Sequence, residues 1–358
     1  DLFYTDNNLH AAKFGAYLSM RKIAEPNLCQ RPLNRAVGPE ARAEAYSWSM
    51  RILLLVNGAA STVTARTRVV IRKALKTEHD VELAETGRRG HATSLARGAA
   101  HDGVEVIVVL GGDGTVNETA NGLAGTSCAM AVLPGGSTNV FSRILGLPDD
   151  PVDATSVILD ALREQSIRRI GLGMLNGRYF TFHTGLGYDA AVVEQVERHG
   201  SLKRYAGHPL FIWAALATWF GHYDRRSPRM RLQFSNGDVV DDSKFTIVLN
   251  ADPYTYLGSR ALHLVPECGL NDALASVSFK KLRMSTLLGP LSNAIRSGTG
   301  IPNSRQIHVA SGLQRIDITT SMPVPYQVDG DFLGEVSNVV IEHHPEVLDL
   351  VWPSTASQ

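Results

Sequence analysis

Val104-Glu105-Val106-Ile107-Val108-Val109-Leu110-Gly111-Gly112-Asp113-Gly114-Thr115-Val116-Asn117-Glu118 is the stretch that decides the fold. The run up to Leu110 is apolar and β-branched, the pattern of a buried strand. Gly111, Gly112 and Gly114 then let the backbone turn tightly and approach a ligand with no Cβ in the way. The residues that follow can form a helix, and the first N–H groups of a helix lack intrahelical partners. Strand, glycine turn and helix start together make an anion cradle, with phosphate its commonest guest. Taken alone, the same residues also fit an ordinary glycine-rich turn between strand and helix.

The flanking sequence repeats the pattern. Strands are expected at 51–56, 80–85 and 129–133, with helices near 62–76, 91–102, 116–124 and 152–165. Alternation at this length implies a parallel sheet with crossover helices. The turn Pro134-Gly135-Gly136-Ser137-Thr138-Asn139 ends the fourth strand as the first glycine turn ends the third. Ligands of such sheets sit beyond the carboxyl ends of the strands, where these turns converge.

With 358 residues, two domains are expected. Lys plus Arg (35) equals Asp plus Glu (35), so the charge balance gives no support for bulk nucleic-acid binding. Cys29, Cys128 and Cys268 have no metal spacing and are odd in number, which favours a reduced, cytoplasmic compartment over a disulfide framework. Residues 1–49 lack strong periodicity and a signal-peptide pattern, apart from a short amphipathic stretch from Leu9 to Ile23. They read as a poorly ordered extension, with the core domain starting at Met50.

Past residue 168 short alternating runs dominate, among them 179–182, 230–234, 245–249, 275–279, 305–310, 315–319 and 339–343. These predict a mostly antiparallel β region, a sandwich. The expected domains are therefore 50–167 for the α/β part and 168–339 for the β part, with the chain end at 340–358 free to return to the first. The apolar insert at 201–223 contains Trp213 and Trp219, and Arg225, Arg226, Arg229 and Arg231 follow it. It fits either a helix packed on the sheet or a transient contact with an anionic bilayer.

Gly111 through Glu118 resembles the signature of the diacylglycerol kinase catalytic family, which includes bacterial soluble lipid kinases and sphingosine kinases and is related more distantly to NAD kinases. Pro134 through Phe141 resembles the family's second nucleotide loop, and Gly269-Leu270-Asn271-Asp272-Ala273-Leu274 its cation loop. Gln327-Val328-Asp329-Gly330-Asp331 resembles its catalytic segment, and the stretch from Asn250 to Gly258 is also similar to family sequence. The likeness spans roughly Met50 to Val351. It implies an NAD kinase/diacylglycerol kinase-like fold with an α/β nucleotide domain and a β-sandwich substrate domain.

The resemblance assigns roles residue by residue. Backbone donors of Gly111, Gly112, Gly114 and Gly136 would hold phosphates, with hydroxyl donors from Thr115 and Ser137. Asn57, Thr86 and Asn117 lie at positions of the nucleotide site; an Asx turn is the alternative for Asn57 and a strand-end hydroxyl for Thr86. Asp113 is a poor direct phosphate contact, so it holds Mg²⁺ or orders the loop through backbone N–H groups. Glu118 is either a site residue or a helix-start carboxylate. Asp329 or Asp331 would act as the base, and Asp331 stands where many relatives have Glu. Asp272 with the carbonyls of Gly269 and Leu274 matches a structural Mg²⁺ site, although Ala273 replaces the usual glycine. Two further departures, Val140 and Gly171, remove carboxylates that relatives carry.

The implied activity is ATP- and Mg²⁺-dependent phosphorylation of diacylglycerol or a similar lipid at the inner membrane surface, in the cytoplasm. A homodimer is compatible with this reading. The alternatives are a kinase for sphingoid or other long-chain alcohols, and a nucleotide-binding regulatory protein with weak or no turnover.

Overall fold

The computed structural model describes residues 49–198, 230–281 and 283–353. Residues 1–48 of the expected extension at 1–49, the apolar insert at 201–223 and Arg225, Arg226 and Arg229 lie outside the described residues.

Parallel strands form the first part of the sheet. Strands β1 (Arg51–Val56), β2 (Asp80–Glu85), β3 (Val106–Gly111) and β4 (Ala129–Pro134) run in the order β2-β1-β3-β4, every pair parallel. All six residues of β3 and of β4 are buried. Each crossover is a helix: α1 (Ala65–Leu75), α2 (His91–His101) and α3 (Asp113–Leu123). Thr64 caps α1 by accepting from Thr67 N. After β4 come the short helix α4 (Val140–Ile144) and then α5 (Pro151–Arg163). Asp150 caps α5 through Val152 N and Asp153 N, with Pro151 at the first helical position, where a missing N–H costs nothing.

Helix α3 starts earlier than the sequence pattern suggests, at Asp113 rather than near 116. Gly112 is its N-cap, extended at ψ 177 and with no side-chain cap. The glycine turn is thus the helix's own first turn, and its main-chain donors lie at the strand end.

Beyond residue 166 the strands are mostly antiparallel: β5 (Ile167–Leu175), β6 (Arg178–Phe180) and β7 (His183–Gly187), then helix α6 (Tyr188–Arg198). After the undescribed segment follow β8 (Met230–Phe234), β9 (Val239–Ser243), β10 (Phe245–Leu249), β11 (Thr255–Leu257), β12 (Arg260–Leu262) and β13 (Leu274–Phe279). Helix α7 (Met284–Ser297), β14 (Ile307–Leu313), β15 (Arg315–Val328) and β16 (Asp331–Val351) complete the described chain. The runs read at 315–319 and 339–343 are segments of the long strands β15 and β16. The first half of β15 pairs with β8 and its end with β7, so the antiparallel strands branch from it. Strand β16 pairs with β15, then β5, and finally runs parallel to β4 at Leu350↔Met130. The chain end therefore closes onto the parallel sheet, fixed also by Trp352 N donating to Ser166 O at 2.7 Å.

Buried apolar side chains form two cores. One surrounds the parallel strands and includes Leu172, Phe182, Leu348 and Leu350; the other fills the antiparallel part around Leu186, Phe279 and Val328. Cys128 and Cys268 are buried in these cores with free thiols that burial pushes up to about 12, which makes them inert packing residues.

Leu350→Ala should cost about 2–5 kcal/mol, because it removes a fully buried side chain from the strand that joins the two parts. Urea unfolding would show a lower midpoint with an unchanged slope.

Candidate active site

The two glycine turns lie back to back. Gly135 N donates to Gly111 O at 2.9 Å. A Cβ on Gly135 would stand 2.8 Å from Gly111 Cα, and one on Gly136 2.8 Å from Gly112 Cα. Contact this close excludes a side chain at Gly135 and Gly136, which is the physical reason the second turn is glycine. Asp113 locks them together: Oδ2 accepts from Val140 N and Oδ1 from Phe141 N, both at 3.1 Å. Of the two roles read for Asp113, ordering the loop is the one this geometry displays. Asn57 accepts from Ala59 N at 3.0 Å, an Asx turn, and donates Nδ2 to Thr115 Oγ1 at 2.9 Å. Glu118 accepts from Gly90 N at 2.7 Å and Ala92 N at 3.1 Å, so it caps α2, whose own N-cap, Gly90, offers no side chain. Its carboxylate thereby fixes loop 86–90, which includes Thr86.

These loops form one wall of a cleft of about 850 Å³. Asn57, Thr86, Gly112, Asp113, Gly114, Thr115, Glu118, Gly136 and Ser137 line it on the side of the parallel sheet. The opposite wall carries Phe182, His183, Val192, Val193, Tyr254, Tyr256 and Leu257, with Asp329, Gly330 and Asp331 between the two. Gly111 lies within β3 behind the cradle, and a Cβ there would stand 2.8 Å from Thr115 Cβ.

Asp329-Gly330-Asp331 is a tight hairpin turn. Val328 pairs with Asp331, and both intervening residues have positive φ, 47° at Asp329 and 80° at Gly330. Asp-Gly is the dipeptide such a two-residue turn favours. The two aspartates have separate fates. Asp329 is 5% exposed, and its Oδ2 accepts from Asn117 Nδ2, Thr181 N and Thr181 Oγ1, each at 2.7 Å. Its Oδ1 accepts from Phe182 N at 3.1 Å and His183 N at 3.0 Å. Burial pushes the Asp329 carboxyl up, while the backbone donors of Thr181, His183 and Phe182 work against that shift.

Asp331 instead faces the cleft. A Cβ on Gly114 would stand 3.5 Å from Asp331 Oδ1. Its Oδ2 takes Arg89 Nη2 and Arg178 Nη2, each at 3.1 Å. Arg178 is held in place by Asn117 Oδ1, which accepts from Nε at 3.2 Å and Nη2 at 2.8 Å. Asn117 thus contacts both the structural aspartate and the arginine beside the other, which places it under the turn.

The turn is braced from the far side too. Gly330 N donates to Gln327 Oε1 at 2.9 Å, Gln327 Nε2 to Asp189 Oδ2 at 2.9 Å, and Tyr254 Oη to Asp189 Oδ1 at 2.5 Å. Burial raises the Asp189 carboxyl, with Tyr254 and Gln327 opposing it. Arg89, Arg178, Asp189 and His183 carry no role in the sequence reading. A basic pair, Arg88-Arg89, in a loop at the carboxyl end of a parallel strand was a usable signal for the first; the others become visible only when the hairpins meet.

The proposed cation loop is a closed turn. Asp272 Oδ2 accepts from Gly269 N at 2.9 Å, and Gly269 O accepts from Asp272 N at 3.0 Å. Leu274 begins β13 and pairs with Leu313. Among the described residues no group of three acidic, His or Cys side chains could hold a metal ion. Gly171 is not an open gap left by a missing carboxylate: a Cβ there would stand 2.3 Å from His343 Nε2. The His343 ring fills that space, and burial together with His344 lowers its pKa.

No helix of the described residues is long and apolar enough to cross a membrane.

Residues 51–175 match the family of the diacylglycerol kinase catalytic domain. A probable lipid kinase YegS-like protein of Chromohalobacter salexigens is 29% identical over 68% of this chain and 77% of its own length. A diacylglycerol kinase of Staphylococcus carnosus is 26% identical over 75% of this chain and 83% of its own length. In fold, the chain is similar to a putative diacylglycerol kinase from Bacillus anthracis, at 24% identity with a TM-score of 0.68, covering 86% of this chain and 99% of that one.

His183 sits between Phe182 and Tyr254, with ring centroids at 4.8 and 4.5 Å, and burial lowers its pKa to about 3. Below about pH 6.5 the unfolded chain binds a proton here that the folded chain does not, so stability falls as pH drops. Between pH 7 and 5 this one group should remove about 2 kcal/mol, at 1.36 kcal/mol per pH unit below 6.5. Urea unfolding of His183→Phe should show a decline smaller by that amount; equal declines in both proteins would refute the assignment.

Proposed function

We propose that this chain, whose residues 51–175 match the diacylglycerol kinase catalytic domain, is a lipid kinase that transfers the γ-phosphate of ATP to the hydroxyl of diacylglycerol or a similar lipid. The observation that carries this reading is the position of Asp331, whose carboxylate abuts the Gly112–Gly114 cradle inside a single cleft. Donor and acceptor can meet there, because one wall is main-chain amide and hydroxyl and the other is largely apolar and aromatic.

Phosphoryl transfer demands mainly positioning and charge stabilisation. The back-to-back turns present the phosphate tail to the acceptor wall, with Thr115 and Ser137 as flanking hydroxyls. Asp331 is the base. It accepts the acceptor's proton as the new O–P bond forms and the bond to the leaving diphosphate breaks. Asp329, with both side-chain oxygens occupied by donors from the 181–183 segment and α3, holds the turn and does not touch the substrate. Magnesium, when bound, would supply charge neutralisation. Asp113 is the carboxylate at the cradle that would serve it, since a carboxylate oxygen accepts more than one partner. At the second loop, Asp272 with the carbonyls of Gly269 and Leu274 would have to open its turn to admit an ion.

The lipid enters from a membrane surface, with peripheral contact on the cytoplasmic face of the inner membrane. Supporting this are the apolar acceptor wall and the Trp-bearing insert seen in the sequence. A sphingoid or other long-chain alcohol would use the same wall.

Purified protein should move label from [γ-³²P]ATP to diacylglycerol in mixed vesicles. Asp331→Asn should lower kcat about 10²–10⁴-fold with an unchanged melting temperature. Asp329→Asn should instead lose stability, by about 3–5 kcal/mol, because an amide group must face backbone donors in a buried site. Nucleotide binding with no transfer to any lipid would instead identify a regulatory protein.

A further inference from the structure

Loop 86–90 carries an arginine that the reaction above leaves unused. Arg89 reaches across the cleft to the β15–β16 turn, with Nη2 3.1 Å from Asp331 Oδ2 and 3.9 Å from Glu197 Oε1. Glu197 also accepts from Phe332 N at 3.0 Å, so it belongs to the same side of the cleft. The two arginines on Asp331 are unlike. Arg178 is anchored twice by the buried Asn117 and is only 28% exposed. Arg89 is 55% exposed, and its ion pairs are both with carboxylates of the opposite wall.

A half-exposed ion pair contributes little, about 0–1 kcal/mol, so it can be exchanged for a better partner. A polyphosphate supplies one, since the planar guanidinium binds phosphate oxygens in a bidentate fork. The exchange is also short. Arg89 already sits on the carboxylate that abuts Gly114, and the cradle would hold a terminal phosphate beside that same carboxylate.

We propose that Arg89 leaves Asp331 for the terminal phosphate of a bound nucleoside triphosphate and stabilises that group during transfer. The assignment rests on the kinase reading for its catalytic part, but its binding part stands on the ion pair alone. One movement has two effects. It uncovers the Asp331 oxygen that must meet the acceptor hydroxyl, and it puts positive charge on the equatorial oxygens of the phosphoryl group. The bond from the acceptor oxygen to the γ-phosphorus forms while the bond to the β–γ bridging oxygen breaks. The acceptor's proton goes to Asp331, and the nucleoside diphosphate departs with the bonding pair. Arg89 keeps its charge throughout. A nucleoside diphosphate has no terminal phosphate to draw the side chain across, so Arg89 discriminates tri- from diphosphate.

Calorimetry with the β,γ-imido analogue of ATP and with ADP tests this on the full chain. Arg89→Ala should weaken the analogue about 10–100-fold, the loss of a hydrogen-bonded charge pair, and change ADP binding less than about threefold. Its kcat for lipid phosphorylation should fall about 10³-fold, and added guanidinium should restore part of it. Arg89→Lys, which keeps the charge without the fork, should recover analogue binding only in part. Equal weakening of analogue and ADP, or a kcat within about threefold of wild type, would overturn the proposal and leave the kinase reading intact. A wild-type protein that phosphorylates no lipid while Arg89→Ala still loses selectivity for the analogue would sink the kinase reading and uphold the phosphate-binding role.

Discussion

The buried carboxylate of Asp329 is the interaction on which the site depends. It gathers donors from helix α3, through Asn117, and from Thr181, Phe182 and His183 at the start of β7. A buried charge with this many donors is tolerated because each lone pair finds a partner; remove the donors and the same charge would be costly. The consequence is geometric. The residue two places on, Asp331, is held at the mouth of the glycine cradle because the hairpin that bears it is tied to the helix that begins at the cradle.

Rigidity is distributed accordingly. The cradle is fixed by glycine-on-glycine contact and by Asp113, and loop 86–90 by Glu118 from the neighbouring helix. Acidic side chains that look from the sequence like ligand contacts thus act on backbone amides. On the cleft surface, Asp331 is paired with the half-exposed Arg89, while Arg178 behind it is held by Asn117.

The departures at Val140 and Gly171 illustrate how packing redefines a sequence gap. Val140 is a buried residue at the start of α4 whose amide serves Asp113. Gly171 accommodates the His343 ring from β16. A side chain at Gly171 would displace the His343 ring, so the carboxylate absent there is part of a different local packing.

The glycine turns, the parallel strands and the Asp-Gly hairpin were legible in the sequence, because each rests on local rules: β-branched runs make buried strands, glycine permits close backbone approach, and Asp-Gly suits the positive φ of a two-residue hairpin turn. The division of labour between Asp329 and Asp331, the structural roles of Asp113, Glu118 and Asn117, and the presence of Arg89 and Arg178 at the site were decided by tertiary structure alone. Each depends on a partner far away in the chain, as with Asn117 and Asp329, 212 positions apart. A side chain's chemistry is set by which donors reach it, and no local pattern of residues specifies that.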